Sequence, residues 1–230
     1  MNAWRGAIAG AALMVAAGFW AGAKFHFSDH AVGARGGGIP VPAGTASPPN
    51  PGDSVGEPAV SPPTKIPDRL PQFSLEDRAG NTTPISAFAG KSLIINFWAT
   101  WCAPCRSEIP LLQSLHAEWA ERGYTVVGIA VDHRPAVLEF AGRFKIAYPL
   151  LIGEQDALDA AAAFGLETPV FPFTVFTDRR GEVVTVFVGE LHRPQAELIL
   201  SAVQSVNSGA SELEPARRSI AEGLRTLAAT

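Results

Sequence analysis

Two cysteines occur in the 230 residues, Cys102 and Cys105, and only two residues separate them. A pair at this spacing can hold half of a metal site, form a small structural bridge, or cycle between dithiol and disulfide. A zinc site needs about four ligands, and no second Cys pair or suitably spaced His pair follows. A bridge across two residues removes little loop entropy from the unfolded chain, so it stabilises poorly. Redox exchange is the reading the pair supports best, and it depends on where the sulfurs are held.

The elements around the pair supply that position. The run Ser92-Leu93-Ile94-Ile95-Asn96-Phe97 is apolar and partly β-branched, and reads as a buried strand. From Arg106 to Arg122, Ile109, Leu112, Leu115 and Trp119 recur at helical spacing. The sulfurs therefore sit where a strand ends and a helix begins. Unpaired N–H groups and the positive dipole end at that point stabilise a thiolate, which would lower the thiol pKa from about 8.5 toward roughly 7 or below. Cys102 is expected as the exposed nucleophile. Cys105, one turn deeper, is expected to close the disulfide. Pro104 suits the first helical turn, where its missing N–H has no helical partner.

The segment Asn96-Phe97-Trp98-Ala99-Thr100-Trp101-Cys102-Ala103-Pro104-Cys105-Arg106-Ser107-Glu108-Ile109-Pro110 resembles the active site of the thioredoxin superfamily. It is most similar to the membrane-anchored, TlpA/ResA-like thiol–disulfide oxidoreductases, over about residues 70–207. The resemblance implies an α/β, thioredoxin-like fold. That fold has a central mixed β-sheet flanked by helices, an N-terminal β-hairpin and a central strand–helix insertion. It implies exchange chemistry on disulfide-containing protein substrates, a membrane electron donor that re-reduces the dithiol, and no cofactor or metal.

The same resemblance assigns roles to single residues. Relatives carry an acidic residue three positions after the second cysteine, and Glu108 stands there, on the helix face of Cys105. Asn96 replaces the buried aspartate of thioredoxin, which leaves proton transfer to Glu108. Pro172 fits the cis-proline beside the dithiol by the pattern Pro-x-Thr-x-x-x-Asp-x-x-Gly, with Pro169 as competitor. Phe171 would then offer its backbone to a cysteine-containing peptide as a short strand pairing. Trp101, Pro104, Phe171 and Pro172 form the expected partner-binding surface, with Trp101 shielding one side of Cys102. Trp98 is expected in the core. His116, His133 and His192 have no partner identifiable by spacing and read as surface or packed residues.

Ala103-Pro104 between the cysteines resembles the reducing members more than the oxidases. Relatives suggest haem-site cysteines of apocytochrome c, or copper-binding cysteines of oxidase-assembly proteins, as substrates. The chain departs from the dedicated cytochrome c maturation members, because Phe173 stands where they carry an acidic residue. The Pro-x3-Thr-x2-Cys arrangement of peroxiredoxins is missing. A competing reading is a copper-binding assembly factor, with the dithiol joined by His26 and His30, since Cu(I) favours thiolates.

Outside the dithiol, the net charge is −4 with both signs interspersed, and nothing points to nucleic acid. Residues 1–24 read as a membrane anchor or signal peptide: Gly6 to Ala23 is uncharged and, at about 18 residues, long enough to span a thinned bilayer. Arg5 favours a cytoplasmic N-terminus and a catalytic domain in the periplasm or outside. Ala21-Gly22-Ala23 offers a cleavage site as the alternative. Residues 25–70 are Pro- and Gly-rich and read as a linker. Residues 71–207 form the expected domain and 208–230 a tail, where an amphipathic helix is expected through Ile220, Leu224 and Leu227. Within the domain, a hairpin is expected around Phe73–Thr83 and a parallel strand at Tyr124–Val131. A helix is expected over Pro135–Phe144, with Val137, Leu138, Ala141 and Phe144 inward. Tyr148–Ile152 reads as extended and Ala157–Phe164 as helical. A strand pair, Phe173–Thr177 and Glu182–Val188, precedes a closing helix, Arg193–Val206.

Overall fold

Strand β3 (Ser92–Trp98) and strand β4 (Tyr124–Val131) are buried at every residue, as apolar runs covered on both faces must be. They pair in parallel, Asn96 opposite Gly128. The connection between them is helix α1 (Ala103–Trp119), followed by a short 3-10 turn, Ala120–Arg122. α1 continues through Pro110. This is a computed structural model, and it describes residues 65–166, 168 and 170–229. The expected anchor, most of the linker, His26, His30 and Pro169 lie outside the described residues.

Five further strands complete a mixed sheet: β1 (Ser74–Asp77), β2 (Thr82–Pro84), β5 (Leu150–Gly153), β6 (Phe173–Thr177) and β7 (Val183–Val188). Their order is β2-β1-β5-β4-β3-β6-β7. β3, β4 and β5 are parallel neighbours, while β6 runs antiparallel to β3 and β7 antiparallel to β6. The β1–β2 hairpin is the expected N-terminal addition. Asp77 Oδ1 closes its turn by accepting from the N–H groups of Ala79 and Asn81, and Gly80 takes φ +89°.

Helices α2 (Arg134–Arg143), α3 (Gln155–Ala162), α4 (Arg193–Asn207) and α5 (Leu213–Ala228) cover the sheet with α1. Strand alternation sorts the core into two faces. Ile94, Trp98, Val126 and Ala130 pack with α1, α2 and α4, whereas Ile95, Phe97, Val127 and Ile129 pack with α3. Asn96 lies between Ile94 and Trp98 in this alternation and so belongs to the α1 face. Gly128 is forced small there: a Cβ would meet Leu150 Cδ2 at 2.6 Å and Trp98 Nε1 at 3.1 Å.

One expectation about packing needs correction. In α2, Val137, Phe140 and Ala141 are the buried stripe, while Leu138 is 37% and Phe144 41% exposed. The helix starts one residue earlier, with Pro135 in its first turn, and Phe144 falls beyond its last residue. The amphipathic helix expected in the tail is α5; its Ala216 and Ile220 are buried, and Ile220 belongs to the same core as α4.

Candidate active site

Cys102 is the N-cap of α1, and its Sγ accepts from the backbone N–H of Cys105 at 3.3 Å. That contact is the thiolate-stabilising geometry expected of a helix N-terminus. Ala103 and Pro104 occupy the first two helical positions, both exposed. Cys102 and Cys105 are joined in a disulfide, their Cα atoms 5.3 Å apart. Cys102 is not the exposed sulfur that the sequence suggested. In the bonded form it is 5% exposed and Cys105 0%. The order of access is nonetheless Cys102 first.

Glu108 follows one turn after Cys105 on the buried face of α1. Its Oε1 accepts from Asn96 Nδ2 at 2.7 Å, and its Oε2 from the backbone N–H of Leu191 at 2.8 Å. Asn96 Nδ2 also donates to Thr174 Oγ1 at 3.0 Å. Asn96 and Thr174 are direct cross-strand partners, so the β3–β6 register builds this network. Burial pushes the Glu108 carboxyl up to about 7, against the lowering effect of the Leu191 and Asn96 donors; the charge of Glu190 adds a smaller upward push. Burial, and then the charge of Glu108, holds the Tyr148 phenol well above its ordinary range. Tyr148 OH, Trp98 Nε1 and Asn96 Oδ1 are buried without a hydrogen-bond partner among the described residues.

The Phe171–Pro172 peptide bond is cis. Because β6 runs antiparallel to β3, with Phe173 opposite Phe97, Pro172 lies at the sheet end where β3 delivers the dithiol. Pro172 is buried and its C=O accepts from Gly189 N–H at 2.9 Å. Among the described residues, neither the N–H nor the C=O of Phe171 has a hydrogen-bond partner. Those two groups form a free edge suited to strand pairing. The Phe171 ring meets Trp101 edge-on at 6.4 Å, and Trp101 is 67% exposed. Trp101, Phe171, Val131 and Leu158 line a groove of about 440 Å³, with Asp132, His133 and Glu154 also on its wall.

Two positioning contacts escaped the sequence reading. Asp132 Oδ2, just past β4, accepts from both the backbone N–H and the hydroxyl of Thr100. Its Oδ1 accepts from His133 N–H at 2.8 Å, and its own N–H donates to Gly153 O. Arg106 Nη1 donates to Thr100 O at 3.2 Å. The loop carrying the nucleophile is thus tied to β4 and to α1. Nothing in the dithiol motif signals Asp132, because the contact joins residues 32 positions apart.

Trp98 is fully buried, as expected. His116 is half-buried and accepts from Val126 N–H, while burial holds its imidazole below the ordinary value. His133 pairs with Glu154 at 3.0 Å, and His192 is the N-cap residue preceding α4. Among the described residues, no group of three or more His, Cys, Asp or Glu side chains is placed to hold a metal ion.

With this geometry established, known proteins give the family. The Redoxin family profile matches residues 65–200. Thiol-disulfide oxidoreductase ResA of Geobacillus kaustophilus is 30% identical over 135 residues, 58% of this chain and 75% of that protein. Thioredoxin-like protein YneN of Bacillus subtilis is 30% identical over 133 residues, covering 56% and 75%. Among solved structures, a thioredoxin-family thiol:disulfide interchange protein from Chlorobium tepidum is 34% identical with a TM-score of 0.50, covering 55% of this chain and 89% of its own. A secreted thiol-disulfide isomerase from Corynebacterium glutamicum is 29% identical with a TM-score of 0.51, covering 59% and 87%. The chain belongs to the Redoxin family, and within the thioredoxin superfamily it is a TlpA/ResA-like thiol–disulfide oxidoreductase.

Proposed function

We propose that this oxidoreductase works as a reductase of protein disulfides outside the cytoplasm. The observation that supports this most is a helix-capping Cys102 paired with Cys105, with a buried acid, Glu108, one turn beyond Cys105 whose carboxyl burial pushes up to about 7. In the reduced enzyme the Cys102 thiolate attacks a partner disulfide. A new bond joins Cys102 to the partner, and the partner's other sulfur leaves as a thiolate and takes up a proton. The Cys105 thiol then gives its proton to ionised Glu108 and attacks Cys102 Sγ. The Cys102–partner bond breaks and the second partner sulfur leaves as a thiolate. Two electrons have passed to the partner, and the enzyme holds the Cys102–Cys105 disulfide. An external dithiol on the membrane side must return them.

Partner cystine would lie along the free Phe171 edge above Pro172, with Trp101 and Pro104 at its sides. Haem-site or copper-site cysteines of secreted proteins are the proposed substrate class, as reduced thiols are what such sites require. The test is the reduction potential of the pair in glutathione buffers. A value well below about −200 mV is expected, and one near −120 mV would make the protein an oxidase instead.

Residues 1–24 are proposed as the membrane anchor, on the strength of their uncharged run between Arg5 and Lys24. Among the described residues no helix is long and apolar enough to cross a membrane. Full-length protein is expected in the membrane fraction after an alkaline wash. Recovery as a soluble chain starting near Lys24 would replace the anchor with a cleaved signal.

A further inference from the structure

Beside the redox loop, on the side of α2, lies a second groove of about 300 Å³. Thr100 and Arg106 form one wall and Arg143 and Phe144 are on the other, with Glu139 also lining it. Four arginines of this protein, Arg134, Arg180, Arg193 and Arg217, each have a carboxylate within salt-bridge distance. Arg106 and Arg143, like six other described arginines, have none among the described residues, although Glu139 stands one turn before Arg143; what sets these two apart is that they share one groove beside the redox loop. Arg106 spends one donor on Thr100 O, and its remaining guanidinium N–H groups have no acceptor among the described residues. Arg143 lies 5.7 Å from the Phe144 ring, which is itself stacked on Phe140 at 4.2 Å and left 41% exposed.

Two guanidinium groups lining one groove with an exposed ring, beside the loop that carries the nucleophile, match a carboxylate beside an apolar side chain. The groove on the Trp101 side carries the opposite charge, from Asp132 and Glu154. We propose that the Arg106–Arg143–Phe144 groove docks an acidic, apolar-flanked segment of the protein that brings its disulfide to Cys102. Electrostatic attraction at this rim speeds encounter and fixes which way the partner crosses the dithiol. The proposal rests on the disulfide-reductase reading above and adds the chemistry of the partner surface.

The test uses prereduced enzyme in single turnover. The probes are uncharged hydroxyethyl disulfide and a set of cyclic disulfide peptides carrying Glu or Lys directly before or after the reactive cysteine. In one of the two positions the Glu peptide is expected to react at least about threefold faster than its Lys counterpart at low salt, the scale of one exposed charge contact. The advantage shrinks in high salt. Arg143→Glu should abolish or invert it and leave the hydroxyethyl disulfide rate unchanged, whereas Arg143→Lys keeps part of it. Equal rates for Glu and Lys peptides in both positions, or a Glu advantage that survives Arg143→Glu, overturn the docking surface. Failure of wild-type enzyme to reduce hydroxyethyl disulfide at all overturns the underlying reductase reading instead.

Discussion

Glu108 ionises only by placing a charge in the core, so it retains its proton to a higher pH than a surface glutamate does. Its folded value of about 7 lies above the ordinary 4.5. The folded protein therefore binds this proton more tightly than the unfolded chain. The associated stability is fully present below about pH 4.5 and is lost as pH rises through about 7. At about 1.4 kcal/mol per unit, the swing is on the order of 3 kcal/mol. Urea unfolding of the oxidised protein should show stability falling between pH 5 and pH 8, and Glu108→Gln should remove most of that slope. A wild-type slope retained in the variant would mean that other groups carry it. The same substitution should remove the inflection near pH 7 from the rate at which Cys105 resolves a mixed disulfide.

The loop from Ala99 to Cys102 carries the nucleophile, and besides its own Cys102 N–H to Ala99 O bond it is held by a side chain just past the neighbouring strand β4. Thr100 spends its N–H and hydroxyl on Asp132, while Asp132 is itself fixed by its N–H bond to Gly153 at the end of β5. Asp132→Ala leaves two Thr100 donors without this acceptor, at a cost of about 1–3 kcal/mol. A loosened loop also misaligns Cys102 Sγ with the Cys105 N–H that stabilises its thiolate. Alkylation of the reduced variant should therefore report a raised Cys102 pKa, and Thr100→Val should shift it in the same direction. An unchanged Cys102 profile in both would show that the tie serves stability alone.

Across the described domain, the sheet is covered at its β6–β7 side by helices that come last in the chain. α5 packs on α4 and β7, and buries Ala216 and Ile220 at 3% and 2% exposure. Arg217 adds a bond from Nη2 to the Val183 carbonyl at 2.7 Å. The C-terminal segment is thus part of the core that holds α4, and the loop before α4 supplies the Leu191 N–H to Glu108. Ile220→Ala should cost about 2–4 kcal/mol in chemical denaturation. A loss below about 0.5 kcal/mol, the scale of a surface change, would mark α5 as dispensable.

Sequence alone determined what local chemistry determines. The dithiol spacing, the apolar run into it and the helical stripe after it are contiguous, so Cys102, Cys105 and their strand–helix setting were legible in the sequence. Pro172 and Glu108 came from the resemblance of quoted segments, which carries position but not surroundings. The tertiary structure decided everything that joins distant residues. Asn96 meets Thr174 only through the β3–β6 register, Leu191 reaches Glu108 only through the path of the loop before α4, and Asp132 reaches Thr100 only because β4 lies beside β3. The inward face of α2 was misjudged for a related reason. Val137, Phe140 and Ala141 share one face at i, i+3 and i+4, Leu138 lies off that face, and Phe144 falls past the last helical residue, so both are left at the surface. Spacing along a chain fixes the face of an element, but which element it faces is a matter of long-range packing, and that is where the proton chemistry of this site is set.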